Sequence, residues 1–165
     1  MSEENKPTPN DLFRKLKEPF LDKDLEWRVQ QGGVKGDKPW ALILCYVDAR
    51  AVMDRLDEVL GGENWQDEYT HKDNGVECKL HYRVNSEWMF KTDGSPETAV
   101  EAFKGGYSKA LVRTAVKLGI GRYLYNLDVQ FANFGPRVKE SKSYYHKDTK
   151  QTFYWLPPRL GHRKL

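Results

Sequence analysis

The sequence predicts an α+β fold on three observations: apolar and polar residues alternate from Val76 to Val84, turn pairs flank that run, and a helical apolar stripe follows it. Val76, Cys78, Leu80, Tyr82 and Val84 alternate with Glu77, Lys79, His81 and Arg83, the period of a strand with one buried and one wet face. Asn74-Gly75 is a hairpin signal joining it to a strand from Trp65 to about Lys72, and Asn85-Ser86 turns it into a third strand, Glu87 to Thr92. The helix from about Glu97 to Leu118, started within Asp93-Gly94-Ser95-Pro96 and stopped near Gly119, is then placed to pack across this antiparallel meander.

Upstream, residues 1–10 are polar and proline-containing and read as a disordered leader. A short helix is expected from Asp11 to Lys17, with Asn10 as its cap and Pro19 as its stop. Trp27, Val29 and Gln31 open a strand that ends in a Gly-rich loop, QGGVKGDKP, carrying Lys35 and Lys38. A second apolar run from Trp40 to Val47 completes an N-terminal hairpin. Asp48 caps a helix to about Leu60, with Val52, Leu56 and Val59 on one stripe and Gly61-Gly62 as its end. Near the C-terminus, SYYHK and TFYWL form a hairpin around Asp148-Thr149-Lys150. The organisation expected is a leader (1–10), a core domain (11–136) and a basic C-terminal segment (137–165).

The 165 residues suffice for one domain with a real core. No run approaches the roughly 20 apolar residues of a membrane helix. The opening MSEENKPTPND lacks the basic-then-apolar order of a secretory signal, so a cytoplasmic protein is expected. Cys45 and Cys78 fall in apolar strand patterns and read as small buried hydrophobes in a reducing compartment. The net charge of +3 is uneven. Residues 137–165 hold eight Lys/Arg against two Asp/Glu, leaving 19 against 22 for the rest. Such a tail supplies sequence-independent attraction to phosphates, or it simply solubilises.

On a helical wheel, Phe103, Tyr107, Ala110, Leu111, Thr114 and Leu118 share the face expected to meet the sheet. Lys109, Arg113 and Lys117, spaced i, i+4, i+8, form a basic ridge beside it, with Gly106 near the same azimuth. Ala102, Gly105, Val112 and Val116 make a second apolar strip, of the kind that often meets a neighbouring subunit. A ridge of this type is commonly just a solvated face; Gly105-Gly106 inside a helix argues for a close approach by another backbone or a ligand. Arg50 lies in the first turn of its helix, where the dipole disfavours a cation. Either Asp54 at i+4 or a nucleic-acid phosphate would offset that cost.

Aromatics close to cations, Trp40 by Lys38, Tyr123 by Arg122 and Tyr144-Tyr145 by Lys142, fit a stacking platform for single strands, although most aromatics fill cores. Lys79 and Arg83 on the wet strand face read first as a solvated surface. No HExxH, CxxC, GxxxxGK[ST] or GxSxG motif occurs, and His71, His81, His146 and His162 lack metal-ligand spacing with the cysteines. The expectation is a non-enzyme with no metal and no cofactor.

The strings WALILCYVDARAVMDRLDEVLGGENW and AVEAFKGGYSKALVRTAVKLGIGRYLY, the strands between them, and TFYWLPPRL near the end resemble the Rad52 (Rad-fifty-two) superfamily, in particular its bacterial and phage branch of DdrA- and Sak-type proteins. The resemblance covers roughly residues 12 to 160. It implies a β-β-β-α core with an N-terminal hairpin and helix, assembled as a homo-oligomeric ring whose groove holds single-stranded DNA. Members of the family anneal complementary strands without ATP in homologous recombination and DNA repair.

The resemblance further implies phosphate-binding roles for Arg50 and Arg113, and Lys109, Lys117, Arg122, Lys35 and Lys38 are expected to support them by their charge. Val112 and Val116 stand where eukaryotic members carry cations. Two other functions stay open: DNA-end binding and protection without annealing, and a structural oligomer that docks a single-strand-binding protein or a partner nuclease.

Overall fold

The computed structural model describes residues 7–96 and 102–161. They form an α+β fold of three helices and three small antiparallel sheets. The first sheet contains β1 (Glu26–Lys35), β2 (Lys38–Tyr46) and the short β6 (Gln130–Phe131). The second is the expected meander of β3 (Trp65–Lys72), β4 (Gly75–Val84) and β5 (Glu87–Pro96). The third, in the order β7-β9-β8, contains β7 (Asn133–Gly135), β8 (Lys142–His146) and β9 (Gln151–Leu156). The helices are α1 (Pro9–Leu16), α2 (Ala49–Leu60) and α3 (Ala102–Val116).

The main core joins the inner face of the meander to all three helices. Val76, Cys78, Leu80, Tyr82 and Val84 are buried, as their alternation predicts, against Ala110, Leu111, Ala115 and Leu118 from α3 and its C-terminal turn, Val52 and Leu56 of α2, and Leu16 of α1. Each fully buried Leu or Val contributes about 1.5–3 kcal/mol relative to exposure. A second, smaller cluster of Trp27, Ile43 and Trp155 ties the N-terminal hairpin to the C-terminal one.

α2 starts and stops as expected: the Asp48 carboxylate accepts the Ala51 N–H at 2.9 Å, and Gly61 ends the helix at φ 88°. At the end of α3, Gly119 (φ 98°) and Ile120 donate their N–H groups back to Val116 and Ala115. That pair of bonds is the Schellman pattern, and it fixes the stop at the glycine.

Three expectations are corrected. α1 begins at Pro9, and its cap is Thr8 rather than Asn10, because Thr8 Oγ1 accepts the Asp11 N–H while the Asp11 side chain accepts the Thr8 N–H in a capping box. The Gly-rich segment is strand rather than loop: β1 continues to Lys35, β2 starts at Lys38, and only Gly36-Asp37 turn. A Cβ on Gly32 would lie 2.9 Å from the Tyr144 ring, and one on Gly33 2.9 Å from the Trp40 indole nitrogen. These glycines admit aromatic rings across the strand. Third, β5 runs through Pro96, so Asp93-Gly94-Ser95-Pro96 pairs with β4 and does not start the helix. Glu97 to Glu101, the leader up to Lys6 and the side chain of Phe103 lie outside the described residues.

Candidate nucleic-acid interface

α3 divides its residues between core and solvent. Thr114, buried on the sheet side, satisfies its hydroxyl by donating to the Ala110 carbonyl at 2.7 Å, with the Cys78 carbonyl at 3.3 Å. Gly106 is also on this side: its carbonyl accepts from Ser95 Oγ at 2.9 Å, and a Cβ would come 3.1 Å from Val76. The close approach anticipated at this glycine is therefore made by the protein's own sheet. Lys109, Arg113 and Lys117 are exposed along the solvent ridge.

Asp93 reaches that ridge from β5. Its carboxylate lies 3.6 Å from Arg113 Nε and 3.7 Å from Lys117 Nζ. The Gly94 N–H holds one carboxylate oxygen at 2.7 Å, and Lys117 also donates to the Thr92 carbonyl at 2.5 Å. Partial burial pushes the Asp93 pKa up, but the Gly94 N–H and the two cations outweigh it and hold the group below the usual carboxylate value. At neutral pH the site is thus two cations with one anion between them.

Arg50 stands exposed in the first turn of α2. Asp54 forms no ion pair with it, and among the described residues its guanidinium has no partner. Lys35 and Lys38 flank the turn at the exposed tip of the N-terminal hairpin. Arg122 is more constrained, because Nε and Nη2 donate to the Val116 and Lys117 carbonyls at 2.9 Å each, closing the end of α3. The structure brings Arg113, Lys117 and Arg122 together at one helix end. No described contact links Arg50, Lys35 or Lys38 to that group.

A cation outside the sequence prediction completes the picture. Arg28 on β1 lies 5.8 Å over the Tyr46 ring and lines a groove of about 380 Å³. Val112 and Val116 face this groove, together with Leu124 and Tyr125. The signal for Arg28 was its place in the strand alternation, one residue after the buried Trp27.

The expected aromatic neighbours are used differently. Trp40 lies across Gly33, Tyr123 accepts the Phe20 N–H at 3.0 Å, and Tyr144 packs by Gly32 and Phe134. Besides Arg28, cations meet rings where Lys79 lies over Phe90 (5.0 Å) and Arg83 over Trp88 (5.5 Å) on the outer face of the meander, and where Arg137 lies over Tyr154 (5.4 Å) in the C-terminal segment. Sequence reading also missed Arg55, which is 6% exposed and serves the fold. Among the described residues, no group of three or more His, Cys, Asp or Glu could hold a metal ion, and no helix is long and apolar enough to cross a membrane.

Residues 8–77, spanning α1, the N-terminal hairpin, α2 and the start of the meander, match the model of the Rad52/22 family double-strand break repair protein. Over 127 residues the sequence is 33% identical to the single-stranded DNA-binding protein DdrA of Deinococcus radiodurans, covering 76% of this chain and 60% of that protein. Over residues 8–77 the chain is similar to the Rad52 family. A protein of the same description from Deinococcus deserti is 32% identical over 136 residues, which cover 81% of this chain and 66% of the relative. The match to this chain thus spans less than two thirds of the length of each of these two relatives. Its 127 and 136 residues are too long to lie within the N-terminal hairpin and α2 alone.

Proposed function

We propose that this chain binds single-stranded DNA through the phosphates and anneals complementary strands in recombination and repair, without ATP, as a homo-oligomeric ring. The observation that carries the reading is the solvent-open basic ridge of α3, Lys109, Arg113 and Lys117, on a chain similar to two proteins described as single-stranded DNA-binding. Arg50, with no partner of its own among the described residues, is the second phosphate contact. Lys35, Lys38 and Arg122 add positive potential, Arg122 with whatever donors its helix-capping bonds leave free.

Cancelling backbone charge lowers the repulsion between two strands, and holding the backbone leaves base edges available for pairing. Annealing by this route is positioning rather than covalent chemistry, so the chain acts as a binding protein and not an enzyme. A second reading is that the chain coats and protects DNA ends without annealing them, which fits relatives described as single-stranded DNA-binding.

A fluorescent complementary pair separates the two. Annealing faster than the protein-free rate at stoichiometric protein supports the first reading, and an unchanged or slower rate with intact binding replaces it by the second. Negative-stain images with and without single-stranded DNA test the ring, since a uniform monomer in both would contradict it.

A further inference from the structure

The proposed phosphate site contains an anion of its own. Asp93 sits between Arg113 and Lys117, one carboxylate oxygen toward each, in the bridging arrangement that a DNA phosphate would adopt between the same two cations. The Gly94 N–H holds the carboxylate in place, and β5 pairing with β4 fixes the backbone that carries it. Both cations remain about half exposed, Arg113 at 54% and Lys117 at 47%, so solvent and phosphate still reach them. Their pairing with Asp93 is at 3.6 and 3.7 Å, longer than a charge-assisted hydrogen bond, and so is readily exchanged for a better partner.

Resting on the phosphate-binding reading above, we infer that Asp93 is a built-in competitor for the DNA backbone: it occupies the phosphate position on α3 when the strand is absent and re-enters as the strand leaves. Two physical consequences follow. A phosphate that arrives must displace a tethered carboxylate, which weakens single-strand binding relative to a neutral residue at the same position. Cations already neutralised by Asp93 condense fewer solution anions, which shallows the salt dependence. A protein that anneals must let go of its product, and a tethered anion that exchanges with phosphate lowers the barrier to release.

The test is binding of a fluorescein-labelled oligodeoxythymidylate by the full chain and by Asp93→Asn, across a salt series. Asparagine keeps the shape and the acceptor for the Gly94 N–H while removing the charge. The expected result is tighter binding at low salt by about three- to tenfold, with a steeper salt slope. Asp93→Glu should stay close to the starting protein.

The same comparison in an Arg113→Ala/Lys117→Ala background assigns the effect. There the Asp93→Asn gain should vanish; if it persists, the carboxylate acts as general surface charge and the inference fails. If Asp93→Asn binds no tighter while Arg113→Ala/Lys117→Ala weakens binding, the competitor role is wrong and the phosphate site stands. If Arg113→Ala/Lys117→Ala binds as well as the starting protein, the phosphate site itself is wrong and Asp93 falls with it. Thermal melts of each variant confirm that the folded state is compared.

Discussion

The guanidinium of Arg55 lies 4.3 Å over the ring of Phe20, buried where α2 meets the end of α1. From there it donates to the carbonyls of Lys15, Leu16, Glu18 and Pro19, with Nη1 to Glu18 O at 2.6 Å. Leu16 O is among the last carbonyls of α1, Lys15 O also accepts the Glu18 N–H at 3.2 Å, and Glu18 and Pro19 lie just beyond the helix, so the guanidinium gathers the turn that leaves α1. A cation at a helix C-terminus also complements its dipole. Arg50 and Arg55 are thus two arginines five residues apart on one helix with opposite duties. One faces solvent and one staples the chain.

Arg55→Ala should therefore destabilise the fold by about 2–4 kcal/mol, since it strands the buried Leu16 carbonyl, strips a partner from three part-buried ones and removes a desolvated cation–ring contact. Lysine should recover little, having no planar fork to reach four acceptors. Chemical denaturation reads the loss. Single-strand binding of the still-folded fraction should be unaltered, in contrast to Arg50→Ala.

The two thiols should be inert in the folded protein. Burial pushes both Cys45 and Cys78 up to about 11, with Asp22 adding to the effect at Cys45. The thiolate is the reactive species, so at pH 7.5 iodoacetamide should label the native chain slowly and the guanidinium-unfolded chain at the rate of a free cysteine. Rapid native labelling of either residue would contradict their placement in the sheets.

Acid sensitivity should map in part to Asp93. Its folded pKa is depressed below the ordinary 3.8, so the stability it adds is fully present above that value and is lost as the pH falls through the folded value. Asp93→Asn should cost less than about 1 kcal/mol of stability at pH 6, seen as a slightly lower melting temperature, with the difference closing below the ordinary carboxylate range. A stability difference that is flat with pH would show that the Arg113 and Lys117 contacts contribute nothing.

What could be read from the chain follows the range of the forces involved. The meander, α2 and the C-terminal hairpin were legible because period two in Val76–Val84, the Asp48 cap and the Gly61 stop are local signals that tertiary packing reinforces. The basic ridge of α3 was legible for the same reason. Gly32 and Gly33 misled, because Gly-rich composition reads as loop while the ring that crosses Gly32 comes from Tyr144, far along the chain.

Asp93-Gly94-Ser95-Pro96 carried a helix-start signature, but a ladder in which Gly94 faces Glu77 and Pro96 faces Gly75 prevailed over that local preference. Arg55 was missed because a cation inside an amphipathic helix gives no sign of acceptors some forty residues upstream. Asp93 gained its meaning only when β5 placed it beside α3.

Two helix arginines as phosphate contacts are the centre of the account, and salt titration of single-strand binding tests them most directly. Loss of two contacts from Arg50→Ala with Arg113→Ala should flatten the slope of log affinity against log salt by about 1.4, with the oligomer unchanged by negative stain. An unaltered slope and affinity in a variant that keeps its assembly would contradict it.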